Sequence, residues 1–221
     1  LQLTFWELEE ISTSRILTKE EVDCDAHLVT STSRRENGSY QVRLPFKKNT
    51  RELGDTRATA LRRFYQLESR LSKNQQLQDQ YCTFMKEYLD LCHMRLIDAE
   101  DQNVPSGKHY YLPHHCVMKE ASTTTKLRVV FDASAKSTSG VSLNDQLMVG
   151  PALQQDLFSI LTRWRLHIVK LCTDIQQMYT HIWIHSDDYN YQRIIWRNRR
   201  TEPIQHYKLI TVTYGEASAP F

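Results

Sequence analysis

No C-x-x-C pair occurs in this sequence. Its five cysteines, Cys24, Cys82, Cys92, Cys116 and Cys172, are odd in number and scattered. That spacing excludes a disulfide framework or a zinc ribbon and fits thiols in a reducing compartment. No apolar run reaches transmembrane length, so no membrane partner is expected. Leu1-Gln2-Leu3 begins no signal peptide. Internal repeats, low-complexity tracts and the Asp-Thr-Gly or Asp-Ser-Gly of an aspartic protease are all missing. The net charge is only +2, so whole-chain charge argues neither for nor against nucleic acid. An initiator Met is missing too, and Ala219-Pro220-Phe221 closes the chain inside what reads as a motif. The expectation is a segment of something longer.

What is present is a globular composition. Of 221 residues, 40% are hydrophobic and 24% charged, enough for a core in one or two domains. Trp6 to Glu10 reads as a short acidic helix. Thr18-Lys19-Glu20-Glu21 has capping-box spacing, which predicts a helix toward Val29. Ser31 to Gly38 is turn-like, and Tyr40, Val42 and Leu44 alternate as a strand closed by Pro45. Asp55 or Thr56 can cap a helix with Ala60, Leu61, Phe64, Leu67 and Leu71 on one side. After Asn74, the spacing of Leu77, Tyr81, Phe84, Tyr88 and Leu91 predicts a second helix packed on a neighbour.

The texture changes near Pro105. Residues 1–104 read as a mostly helical lead-in, and 105–221 as α+β. His109 to Met118 and Leu127 to Phe131 read as a hairpin with a polar, mobile link between them. Leu153, Leu157, Ile160, Leu161 and Trp164 predict a helix. Ile168 to Cys172 reads as a strand ending at Asp174. Gln192 to Trp196 and Tyr207 to Thr213 read as two more strands, joined by an arginine-rich loop over 198–203.

Several stretches carry chemistry. Lys126 and Arg128 sit on or beside a strand, where cations can hold a triphosphate. Ser142-Leu143-Asn144-Asp145-Gln146 leads to Gly150-Pro151. Asp174 at a strand end can hold a divalent cation beside a phosphate, although an Asp there is more often a helix N-cap. Tyr179 follows it. Tyr214-Gly215 lies in a run where glycine lets backbone approach a ligand. The arginines at 193, 197, 199 and 200 form a cluster, as do Lys119, Lys126 and Arg128; either cluster can equally be a solvated face.

The ordered set "KLRVVFDASAKSTSGVSLNDQLMVGP", "TDIQQMY", "QRIIWR" and "VTYGEASAP" resembles the reverse transcriptase of BEL/Pao-type LTR retrotransposon polyproteins. "FWELEEI", "YQVRLPF" and "YCTFMKEY" resemble the stretch before the polymerase core, so the resemblance spans nearly the whole chain. It implies a right-hand polymerase fold: fingers and a partial palm after the helical lead-in. Asp174 would be the first metal-binding aspartate, with the backbone carbonyl of Ile175 also on the metal. Tyr179 would be the aromatic gate that clashes with a ribose 2′-OH; the family more often has Phe there. Arg128, with Lys119 or Lys126, would hold the incoming triphosphate. Tyr214 and Gly215 would pack against the nucleotide beside the primer terminus.

The implied activity is RNA- and DNA-templated DNA synthesis. Its partners are a primed template and deoxynucleoside triphosphates, and its setting a cytoplasmic retroelement particle. Protease, RNase H and integrase are the other domains such polyproteins carry. Two Mg²⁺ ions, or Mn²⁺ in their place, would stabilise the attacking oxygen and the leaving pyrophosphate. One carboxylate does not hold two such ions, and the family's Tyr-x-Asp-Asp hairpin lies beyond the Gly…Pro motif. The chain by itself is therefore expected to be inactive. The alternative is a domesticated or decayed retroelement remnant that binds nucleic acid or protein.

Other acids and metal-ligand types are set aside. Asp187-Asp188 lacks the tyrosine and precedes Gly215, so it reads as a solvated turn. His181 and His185 have the spacing of zinc ligands on a helix, but Ile182 to Ile184 alternate like a strand. His114-His115-Cys116 lies in a strand-like run whose neighbours face opposite ways, so a shared ligand site is not expected.

Overall fold

A capping box starts the first helix. Thr18 Oγ1 accepts from Glu21 N at 3.2 Å, and Glu21 Oε2 accepts from Thr18 N at 2.7 Å. Helix α1 then runs Lys19–Ser31, two residues past the Val29 that the sequence suggested. The computed structural model describes residues 16–48, 52–98, 104–118, 127–173 and 175–220. The acidic helix expected over Trp6 to Glu10 lies outside them.

Strands β1 (Ser33–Arg34) and β2 (Tyr40–Val42) form an antiparallel pair, so the segment expected as a plain turn contributes a short strand. Helix α2 is Arg57–Leu71 and helix α3 is Gln75–Asp90. The two candidate caps of α2 divide the work. Asp55 Oδ1 accepts from Arg57 N at 2.9 Å, while Thr56 Oγ1 accepts from Tyr111 N at 2.7 Å and ties the helix start to the next segment. Asn74 caps α3 through Leu77 N. The buried positions of α2 are Ala60, Phe64, Leu67 and Leu71; those of α3 are Leu77, Tyr81, Met85 and Tyr88. Burying each large side chain contributes about 1.5–3 kcal/mol.

Strand β3 (Met94–Leu96) follows, then the hairpin of β4 (His114–Met118) and β5 (Leu127–Phe131). The hairpin is the expected one, and its register pairs His114 with Phe131 and Met118 with Leu127. β4 starts only after Pro113, later than the sequence suggested. The polar link expected to be mobile lies outside the described residues. Helices α4 (Leu143–Gln146) and α5 (Leu157–Arg165) come next, then β6 (Trp183–Ile184), β7 (Arg193–Trp196) and β8 (Gln205–Leu209).

The protein is a mixed α+β fold with small sheets: β1-β2-β6, β3-β8-β7 and β4-β5. β2 and β6 run parallel, and β3 and β8 antiparallel. Strands from before Pro105 thus complete sheets whose other members come after it, and one apolar core joins both stretches. The centre of that core is aromatic. Trp196 of β7 stacks on Tyr81 at 5.1 Å and meets Phe64 edge-on at 6.0 Å. His114 sits among these rings and Phe131.

Two expectations need correction here. Ile168 to Cys172 forms no strand: Ile168, Val169 and Leu171 are exposed, and among the described residues no strand pairs with the run. β-propensity becomes a strand only where a neighbour takes up the hydrogen bonds. The acid pair is likewise not a solvated turn. It opens the 3-10 segment Ser186–Tyr191, and buried Asp188 accepts from Leu44 N at 3.0 Å and from the Arg43 guanidinium. Asp187 pairs with the same arginine. Burial with backbone and arginine donors makes this a clasp between the β2 exit and the start of the 3-10 segment.

Candidate functional site

Gly215 makes the tightest backbone approach relevant to the expected site. Its φ is +115°, and a Cβ there would stand 1.9 Å from the carbonyl oxygen of Phe131, the last residue of β5. Only glycine fits such a position. The Phe131 N–H donates to Tyr214 O at 3.1 Å, which seats the turn on the strand end. The same missing side chain lies 3.6 Å from Val130 Cγ1. Side chains alternate along a strand, so Arg128 is on the Val130 face of β5, about 7 Å away along the strand. Arg128 is exposed there, while Leu127, Val129 and Phe131 face the core.

Asn144 holds the other side of this turn. Its Nδ2 donates to Gly215 O at 3.0 Å and to Ser134 Oγ at 2.8 Å, and its Oδ1 accepts from Ala217 N at 2.9 Å. Its own N–H donates to Ala133 O at 3.0 Å. One amide side chain therefore joins the segment just past β5 to a turn more than seventy residues further along the chain. Its position is fixed by α4, whose cap Ser142 makes a capping box with Asp145. Lys136 and the Ser142 donors hold the Asp145 carboxyl down to about 2. Asp132, just past β5, is bound by Arg63 of α2.

Tyr179 arrives from a different direction. Gln177 adopts the left-handed conformation, at φ 54° and ψ 36°, and turns the chain into the 3-10 segment Met178–His181. Thr180 N and Oγ1 both donate to Gln177 O, which closes the turn. The Tyr179 ring then meets the Tyr214 ring edge-on, at 4.8 Å and 76°. Tyr214 is 41% exposed, so the pair forms a surface with one wall open to solvent.

Beneath it lie groups that the sequence reading missed. Tyr88 of α3 packs at 5.9 Å from Phe131; burial first, and Tyr214 second, push its phenol up. Its hydroxyl has no hydrogen-bond partner among the described residues. His93 packs against Tyr88 at 5.2 Å, and burial, then His181, lower its pKa. Glu216 is wholly buried beside Gly215, and burial pushes its carboxyl up to about 8. Tyr88 belongs to a helical stripe and gave no sign beyond core packing. Asn144 stood inside a quoted motif without a role.

The structure thus brings together Tyr179, Tyr214, Gly215 and the Arg128 face of β5. Ile175 is exposed. Asp174, Lys119 and Lys126 lie outside the described residues. The arginine cluster is not one solvated face. Arg193 is buried and reaches Asn190, and Arg197 makes a fork to Glu68 with both distances 2.8 Å; Arg199 and Arg200 are exposed. His181 and His185 flank β6 rather than share a helix face. Among the described residues no group of His, Cys, Asp and Glu is arranged to hold a metal ion, and no helix is long and apolar enough to cross a membrane. No protein-family model matches the chain, and no curated protein matches it.

Proposed function

We propose that this chain is the fingers and first part of the palm of a BEL/Pao-like reverse transcriptase. The observation that supports the reading is that Tyr179, Tyr214 and Gly215, separated in sequence from β5, meet beside the strand bearing Arg128. An edge-on pair of tyrosines beside a glycine turn offers a flat, partly apolar seat for a nucleotide's sugar and base. Arg128 on the adjoining strand face supplies a forked cation for phosphates. Tyr179 would reject a 2′-OH by contact of its ring.

Mg²⁺, held by Asp174 and the Ile175 carbonyl, would supply charge neutralisation at the phosphates. A single carboxylate holds no metal pair, so transfer asks for further carboxylates. This chain's own residues bind and orient the nucleotide. The second reading, a retroelement remnant acting as a binding module, keeps the fold and drops the chemistry.

The test uses a complete polymerase that contains this segment. Tyr179→Ala is expected to raise ribonucleotide incorporation relative to deoxynucleotide in single-nucleotide extension. Arg128→Ala is expected to raise KM for nucleotide, on the order of tenfold or more for a lost charge-assisted contact, with primer–template affinity kept. Unchanged sugar preference in Tyr179→Ala, or damage to duplex binding alone in Arg128→Ala, overturns the assignment.

A further inference from the structure

Helix α2 has two unlike faces. The buried one packs into the core through Ala60, Phe64, Leu67 and Leu71. The opposite one carries Arg62, Tyr65, Gln66, Ser69 and Arg70, and Lys73 follows at the helix end. These positions fall on one side of a 3.6-residue helix, with Arg62 and Arg70 about 12 Å apart along its axis. All are exposed, Tyr65 at 46%. Of this helix's arginines, Arg63 is spent on Asp132. Arg62, Arg70 and Lys73 have no ion-pair partner among the described residues.

Shape and charge extend this face. A shallow, largely apolar depression runs along α2 past Ala58, Leu61, Arg62, Tyr65, Gln66 and Ser69. A groove passes Ser72, Gln78, Arg197 and Arg200, and so joins the end of α2 to the β7–β8 loop. Arg197 anchors that loop: it forks onto Glu68 and lies 6.0 Å from the Tyr65 ring. Glu68 is thereby neutralised, and Arg199 and Arg200 are left facing solvent. The result is a basic strip with one aromatic ring within it, in which Glu68 is already paired with Arg197.

We infer that the outer face of α2, together with Arg199 and Arg200, binds a single-stranded nucleic acid, with its phosphates on Arg62, Arg70, Lys73 and Arg200 and a base on Tyr65. Spaced cations beside an exposed aromatic ring match what a single strand presents: a charge on every nucleotide and unstacked bases. The class of partner rests on the proposed function; the surface rests on α2. It lies on residues other than the Tyr179–Tyr214 seat, so a template strand held here would run outside the nucleotide site. The remnant reading would use the same face.

The experiment is fluorescence anisotropy of a labelled 20-nucleotide single-stranded RNA, with a 20-base-pair duplex in parallel, titrated with the 221-residue chain at several salt concentrations. Each phosphate contact contributes about 0.7 to the single-strand log–log salt slope, or about fivefold in affinity at 0.1 M salt. The R62E/R70E double variant is therefore expected to bind about 25-fold more weakly and to lose about 1.4 from the slope. Tyr65→Ala should weaken the single strand and leave the duplex unchanged. Lys19→Glu on α1 makes the same charge change per site and should shift affinity less than twofold.

Circular dichroism checks that each variant folds, which surface substitutions of this kind permit. Wild-type affinity in the double variant, equal loss in Lys19→Glu, or no binding by the wild type overturns the surface. A silent Tyr65→Ala with equally tight duplex binding overturns the single-strand assignment. If α2 behaves as expected while Tyr179→Ala leaves sugar preference unchanged, this surface stands and the polymerase reading falls.

Discussion

Gly215 and Asn144 act as one device at the scale of single residues. The turn carrying Tyr214 is pressed against Phe131 O so closely that no side chain fits, and the Asn144 amide holds it from the other side. Gly215→Ala must move the turn or β5 to relieve a 1.9 Å approach, in a backbone conformation that L residues rarely adopt. The expected cost is about 2 kcal/mol or more, read as a lower urea midpoint with an unchanged slope. The edge-on contact of Tyr179 and Tyr214 should go with it, visible as a changed near-ultraviolet dichroism signal. An unshifted midpoint would mean the turn is looser than its geometry. Gly215 was legible in the sequence because glycine has few other uses beside a β-rich run. Asn144 was not, since an amide inside a polar motif carries no mark of which distant backbone it will meet. Glu216 was equally hidden: nothing local distinguishes a buried carboxyl from a solvated one.

At the scale of elements, legibility followed local signals. The helices with a cap and a stripe were readable: α1 from its capping box, α2 and α3 from apolar spacing. So was the β4–β5 hairpin, which pairs with its near neighbour. What stayed hidden were pairings across long separations, such as β2 beside β6 and β3 beside β8. Those depend on docking, which no window of sequence encodes. α5 is the converse case. Asp156 caps it through Ser159 N, yet none of its residues is buried, and Leu157 and Phe158 are 69% and 79% exposed. A helix of nine residues without packing is marginal in water. Hydrogen exchange at α5 should therefore run close to unprotected rates, while amides of α3 around Tyr81 exchange only on global opening. Protection in α5 equal to that in α3 would show that α5 is packed in solution.

Two buried titratable groups push the pH response of the whole molecule in opposite directions. His114 lies under Tyr81 and Trp196, donates from Nε2 to Ile195 O at 2.9 Å and accepts at Nδ1 from the Tyr81 hydroxyl. Both ring nitrogens are thus satisfied in the neutral form, and burial lowers its pKa to about 4. The unfolded chain takes up this proton below the ordinary value of 6.5, so His114 removes stability as pH falls from 6.5 toward 4. Glu216 works the other way. Its folded carboxyl keeps a proton up to about 8, while the unfolded one loses it above 4.5. Stability from Glu216 is therefore fully present below 4.5 and drains away as pH rises to about 8, by at most a few kcal/mol. The two slopes oppose each other from 4.5 to 6.5, and above 6.5 Glu216 acts alone. Urea unfolding of the wild type should show a broad maximum in the acid range and a decline from pH 6.5 to 8. Glu216→Gln keeps the shape without the charge, so it should flatten that decline and leave the acid limb of His114 in place. If the decline from pH 6.5 to 8 persists in Glu216→Gln, the carboxyl beside Gly215 is already ionised in the folded protein, and the turn that carries Tyr214 must be open enough to hydrate it.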